Sequence, residues 1–200
     1  MLKIKPAFRK VFPRAFYERD PRTVAPALLG KVLVAPDGRS GRIVETEAYC
    51  GSIDAAAHSY RGTTARNATM FGRPGLLYVY FIYGMHWCCN PVCGREGEGV
   101  AVLLRALAPL TGIGEMRAAR PGCRDDRDLC RGPARLCKAM GIALAQNGID
   151  LVANSTGFSI VDDGVPPPSD PVIASRIGIR EATQEPWRWY VRGDPHVSRR

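Results

Sequence analysis

Residues 43–58 read IVETEAYCGSIDAAAH, and the reading of this stretch decides both the fold and the site. From Gly41 to Tyr49 the pattern has period two, the mark of a strand with two unlike faces. Plain alternation puts Ile43, Glu45, Glu47 and Tyr49 on one face and Val44, Thr46 and Ala48 on the other. A face carrying two carboxylates and a phenol is either solvated or a site. Residues 51–64 are irregular, with one helical turn over 54–58 that ends on His58. The partner stretch, residues 76–90, reads LLYVYFIYGMHWCCN. It predicts a buried strand over 76–83, a bend at Gly84 and a returning strand over 85–92.

Upstream, Asp20-Pro21 predicts a helix N-cap with proline at the first helical position. That helix runs toward Leu29, is shortened or kinked by Pro26, and stops at Gly30. Residues 31–34 form a strand, and Asp37-Gly38 turns the chain into the organising strand. Residues 1–16 form a basic, loosely attached lead-in. Between the two key stretches, Asn67 is set to cap a short turn through Phe71, and residues 72–75 (GRPG) form a tight turn. Downstream, VAVLLRAL (100–107) is a central strand interrupted by Arg105. Helices are expected over 112–119 and 134–140, and strands over 149–152, 158–161 and 172–179, with a proline-rich surface loop at 163–171. The tail 187–193, WRWYVRG, mixes aromatics with arginines. No repeat and no linker divides the chain. The expected architecture is one α+β domain over residues 1–200, with a curved, largely antiparallel sheet surrounded by helices.

The 28 Lys and Arg exceed the 19 Asp and Glu, leaving +9. That excess points to a polyanionic partner, nucleic acid before an acidic membrane surface, with plain solubility as the bland alternative. Seven cysteines, an odd number, and a start without an apolar leader predict reduced thiols and a cytosolic protein. The location expected is a bacterial cytosol or nucleoid, or a nucleus in a eukaryote. No stretch is long and apolar enough to span a membrane. Cys123, Cys130 and Cys137 are evenly spaced but match no metal-ligand pattern, so neither a metal nor any other cofactor is expected.

Tyr49, Tyr78, Tyr80, Phe81, Tyr83 and Trp87 are concentrated in the two key stretches. They form either an aromatic core or a stacking platform for a base. Four phenols, each needing a partner, favour the platform. The two stretches would then face each other across a slot for one turned-out nucleobase. Hydrolysis of an N-glycosidic bond needs a water aimed at C1′ and a negative group near the cationic sugar, and a buried carboxylate serves both needs. Glu45 and Glu47 compete for that part. His58 is either in the slot or a core imidazole bonded to a tyrosine, and Arg105 is either a buried structural fork or a phosphate clamp. Arg61, Arg66 and Arg73 cluster around turns near the slot. No serine elbow, glycine-rich phosphate loop or lysine in either stretch offers another nucleophile, which leaves water.

These motifs resemble the alkyladenine (3-methyladenine) DNA glycosylases. ALLGKVLV, IVETEAY, AAAHS, ARNATMF, PGLLYVYFIYGMH and VLLRALAP carry the likeness from residue 27 to 109, and LCRGPARLCKAMGI, RIGIR and WYVRGDPHVS extend it. The resemblance implies a monofunctional, cofactor-free enzyme that flips damaged purines out of double-stranded DNA and hydrolyses the glycosidic bond, without a lyase step. The substrates implied are 3-methyladenine, 7-methylguanine, hypoxanthine and ethenoadenine. It makes Glu47 the general base. It places Tyr49, His58 and Tyr80 against the flipped base and wedges Tyr83 into the duplex. Asn90 would crowd the 2-amino group of normal guanine. Met85 and His86 would line the DNA groove, and Arg105 would lie near the DNA backbone. A monomer is expected. The Cys88-Cys89 pair and Cys93 give this wall an unusual thiol content.

Overall fold

The computed structural model describes residues 10–82 and 84–199. Residues 1–9 of the lead-in and the proposed wedge Tyr83 lie outside the described residues. The strands are β1 (Lys10–Val11), β2 (Val32–Val34), β3 (Ser40–Cys50), β4 (Leu77–Ile82), β5 (His86–Cys93), β6 (Val100–Thr111), β7 (Ser159–Asp162), β8 (Val172–Ala174) and β9 (Arg188–Tyr190). The helices are α1 (Arg14–Tyr17), α2 (Pro21–Leu28), α3 (Ile113–Ala119) and α4 (Pro133–Met140). Every pairing among the described strands is antiparallel, in the order β1-β7-β2-β3-β6-β5-β4. β9 joins β3 beside this path, β8 pairs with β9, and the sheet does not close on itself. The protein is thus an α+β fold built on an open antiparallel sheet.

α2 starts as its sequence dictates: the Asp20 carboxylate accepts from the Arg22 amide at 2.7 Å, and Pro21 needs no partner for a missing N–H. The main core packs α2, α3 and α4 onto the sheet through Leu28, Met116, Leu136, Leu104 and Ile160, all fully covered. No helix among the described residues is long and apolar enough to cross a membrane.

The β3–β6 pairing contains the irregularity that makes the site. Val44 is an extra residue on β3 and Arg105 an extra residue on β6, so both strands are bulged at the same point. Each strand exchanges faces there. Ile43 packs in the main core with Ala48 and Cys50, while Val44 joins a small cluster with Ala106 and Val197 on the other side. Plain alternation therefore misplaces Ile43, which does not share a face with Glu45, Glu47 and Tyr49.

Other expectations are corrected as well. The described part of the lead-in is tied down: β1 pairs with β7, and Arg14 donates to the Pro74 carbonyl and pairs with Asp150 at 2.7 Å. Residues 149–152 are turns with one isolated bridge, because Asp150 accepts from the Val152 and Ala153 amides. The strand expected over 172–179 ends at Ala174, and β9 lies in the tail where no strand was expected. Asn67 does not cap the turn after it. Its side chain reaches back instead, accepting from Thr64 N and donating to the His58 and Gly62 carbonyls.

Candidate active site

Glu45 and Glu47 stand on the face of β3 turned away from the main core, and both are fully covered. Glu45 is saturated. It accepts from Arg105 Nε at 3.1 Å, Arg188 Nη1 at 2.8 Å, and the Ser198 amide and hydroxyl at 2.7 and 3.0 Å. Glu47 is held differently. Its Oε1 accepts from the Ile177 amide at 2.7 Å and lies 3.2 Å from Arg105 Nη1. Among the described residues, its Oε2 accepts only from the Tyr49 hydroxyl, at 3.0 Å. The bulge at Arg105 is what lets one guanidinium span both carboxylates. Two arginines and two glutamates thus balance in a covered cluster, and removing any one would leave an unpaired buried charge.

Burial pushes the Glu47 carboxyl above the usual carboxylate range, with Arg105, the Ile177 amide and the Tyr49 hydroxyl pulling it back. Burial and the neighbouring carboxylate hold the Tyr49 phenol well above its ordinary value, so it stays a neutral donor. Burial works against charge on Arg105, but Glu47 and Glu45 outweigh it.

In front of this cluster lies a cleft of about 570 Å³, within the size range of small-molecule sites. One wall is the β4–β5 hairpin, where the cross-strand pairs Tyr78–Asn90, Tyr80–Cys88 and Ile82–His86 all turn inward. Tyr49, Leu103 and Arg105 form the floor, and His58 and residues 177–181 line the remaining sides. The Tyr78 and Tyr80 rings stack at 5.3 Å, and His58 meets Tyr80 edge-on at 4.4 Å. His58 Nδ1 is 3.2 Å from the Tyr78 hydroxyl, so the imidazole is both bonded to a tyrosine and in the cleft. Burial and Arg66 lower its pKa, which keeps the ring neutral. The Asn90 amide donates to the Tyr78 carbonyl at 3.2 Å, which fixes its orientation. Burial pushes the Cys88 thiol up to about 11, so the sulfur in the wall is an inert thiol at neutral pH. All seven cysteines are unpaired, and six of them are buried.

The structure brings Tyr49, His58, Tyr80, His86, Asn90 and Arg105 to the lining of this cleft, while Glu47 lies covered behind it, bonded to the Tyr49 hydroxyl. Arg105 takes the buried-fork form; it is 6% exposed and faces the two glutamates rather than the outer surface. Met85 is 70% exposed at the hairpin tip, outside the cleft lining. Arg66 donates to the Phe81 carbonyl and lies over the Tyr80 ring at 5.9 Å. Arg73 turns to Asp150 instead. Sequence reasoning missed the Ile177 amide, Arg188, Ser198, Arg180 and Arg199. Their signal was present in RIGIR and in the arginine-rich tail, but a backbone donor leaves no trace in side-chain chemistry.

The methylpurine-DNA glycosylase family profile matches residues 15–195. The chain belongs to the methylpurine-DNA glycosylase family. These are DNA-repair enzymes that hydrolyse N-glycosyl bonds. A relative from Burkholderia lata is 64% identical over 188 residues, covering 94% of this chain and 91% of its own. One from Burkholderia cenocepacia is 62% identical with the same coverage, and one from Rhodopseudomonas palustris is 49% identical over 92% of this chain and 89% of its own. All three bear the name "Putative 3-methyladenine DNA glycosylase". The family's likeness spans both stretches that form the cleft and the segment that carries the Ile177 amide.

Proposed function

We propose that the protein removes alkylated or deaminated purines from double-stranded DNA. The damaged nucleotide is flipped out of the duplex, its base enters the cleft, and water cleaves the bond between C1′ and the base. The observation that carries this is the bond between a covered carboxylate and a tyrosine that lines an aromatic-walled cleft with room for a base. Oε1 of Glu47 is occupied by Ile177 and Arg105, so Oε2 is the atom left to take a proton. Among the described residues its one hydrogen bond is to Tyr49, which lines the cleft, so exchange of that bond for a water brings the acid into play. As the water oxygen bonds to C1′, its proton passes to Glu47 and the base leaves with the electron pair of the broken bond. The products are the free base and an abasic site, with no covalent enzyme intermediate.

A cationic base such as 3-methyladenine or 7-methylguanine leaves neutral and needs no acid. It also gains from the faces of Tyr49 and Tyr80. Hypoxanthine and ethenoadenine, being neutral, need a proton from elsewhere and leave more slowly. Asn90, fixed by the Tyr78 carbonyl in the cleft wall, serves to crowd the 2-amino group of normal guanine. Tyr83 serves as the wedge that fills the emptied position in the duplex, and Met85 and His86 follow the groove beside it. Arg105 acts through Glu47, holding the carboxylate in place.

The test is a duplex oligonucleotide carrying one 7-methylguanine, incubated with wild type and Glu47→Gln and then cleaved with alkali at abasic sites. Wild type is expected to cut only the damaged strand. Glu47→Gln is expected to bind the duplex yet cut at least about 100-fold more slowly. Undiminished cutting by Glu47→Gln would refute the assignment of the base.

A further inference from the structure

Residues 175–182, between β8 and β9, deliver the Ile177 amide to Glu47, and a second buried ion pair fixes them. The Arg176 and Asp54 side chains are both fully covered and meet as a two-pronged fork, Nη1 to Oδ2 at 2.6 Å and Nη2 to Oδ1 at 2.8 Å. Nη1 also donates to the Ala48 carbonyl in β3 at 3.0 Å. The guanidinium lies between two rings, 4.8 Å from the Tyr49 centroid and 5.0 Å from that of Trp187. Asp54 in turn accepts from the Cys50 amide at the end of β3 and from the Ala56 amide on the way to His58. One carboxylate therefore joins the strand that carries Glu47, the loop that carries His58 and the segment that carries Ile177.

Two features accompany this pair. Arg176 Nε is buried with no hydrogen-bond partner among the described residues, a cost that a cluster built for stability alone would shed. Ala182, whose carbonyl accepts from Arg176 Nη2 at 3.5 Å, holds a left-handed backbone with φ of 48°. The orphaned donor and the left-handed alanine coincide in the segment that delivers the Ile177 amide to Glu47.

Resting on the glycosylase reading above, we infer that Asp54 and Arg176 are a positioning pair for the reaction. They hold the Ile177 amide on Glu47 Oε1 and the Tyr49 ring in the cleft floor, so the carboxylate that takes the proton is aimed by a residue pair that never touches the substrate.

The consequence appears in the pH dependence of base release. The groups facing Glu47 are Glu45 and Tyr49 on its own strand, Arg105 on β6, Arg188 on β9, Cys88 on β5 and Arg176 itself. In Arg176→Lys the charge survives but the fork and the ring stacking are lost, which frees the Ile177 amide from Glu47. An amide donor favours the ionised carboxylate, so its loss moves the acidic limb of the rate profile upward.

Single-turnover release of 7-methylguanine from a duplex oligonucleotide, measured from acid to neutral pH, reads this directly. Arg176→Lys is expected to shift the acidic limb up by about one pH unit. It is also expected to lower the plateau roughly tenfold, with duplex affinity changed less than about twofold. Asp54→Asn keeps the side-chain shape and should shift the limb the same way; it answers the question if Arg176→Lys fails to fold. A lowered melting temperature with the limb unmoved in the folded variants would make the pair merely structural and overturn the inference. Wild type that releases no base would instead refute the glycosylase reading itself.

Discussion

Glu45 and Glu47 are equally covered, two residues apart and turned to the same side of β3, yet their partners divide them. Glu45 accepts four bonds, from two arginines and both donors of Ser198, whereas Glu47 is the one bonded to a phenol that lines the cleft. Glu45→Gln should therefore act on stability: it leaves Arg105 and Arg188 short of a counter-charge, at a cost of about 3–5 kcal/mol in denaturant unfolding. Unfolding within about 0.5 kcal/mol of wild type would refute that structural role. Glu47 should act on rate. Its carboxyl is held above the usual range chiefly by burial, and only the ionised form accepts a proton. Release of a cationic base should fall as pH drops through a midpoint above the ordinary carboxylate value, and a profile flat down to pH 4 would contradict it. The pair was legible in the sequence as two acids beside a tyrosine. The residues by themselves left the choice between them open and only the family likeness favoured Glu47, because the partners that separate them, Arg188 and Ser198, lie 143 and 153 positions away from Glu45.

At the scale of elements, the site depends on a paired defect. Period-two reading found β3, β4, β5 and β6, and turn residues found the hairpin corners, because those signals are local. It failed at Ile43, since a bulge reverses the alternation without changing composition. It also overran the strand at Ala174. Residues 172–179 are rich in β-branched side chains, but the Arg176–Asp54 fork and Gly178, with φ of 78°, turn the chain into the cleft wall. β9 escaped notice because three residues carry too short a pattern. Deleting Val44 tests the defect. It should force one half of β3 onto the wrong face and abolish cooperative folding, whereas Val44→Ala should cost only about 1–3 kcal/mol. A stable deletion variant with wild-type base release would contradict the role given to the bulge.

The whole molecule carries +9, and two of its exposed arginines, Arg180 and Arg199, stand at the cleft. Affinity for a lesion duplex should fall steeply with salt, as phosphate neutralisation requires. Arg180→Ala and Arg199→Ala should each lower the slope of log affinity against log salt by about one, with little change in the single-turnover rate at saturation. An unchanged slope would remove these residues from the DNA face. The charge excess pointed to a polyanionic partner, but not to which arginines face it. Arg42 and Arg192, for example, are paired with Asp163 and Asp170 away from the cleft lining.

The most direct measurement is a crystal structure of Glu47→Gln bound to an uncleaved duplex carrying 7-methylguanine. The purine should lie between the Tyr49 and Tyr80 rings, with His58 at its edge and C1′ beside residue 47. A base still stacked in the duplex, or seated anywhere other than this cleft, would contradict the account.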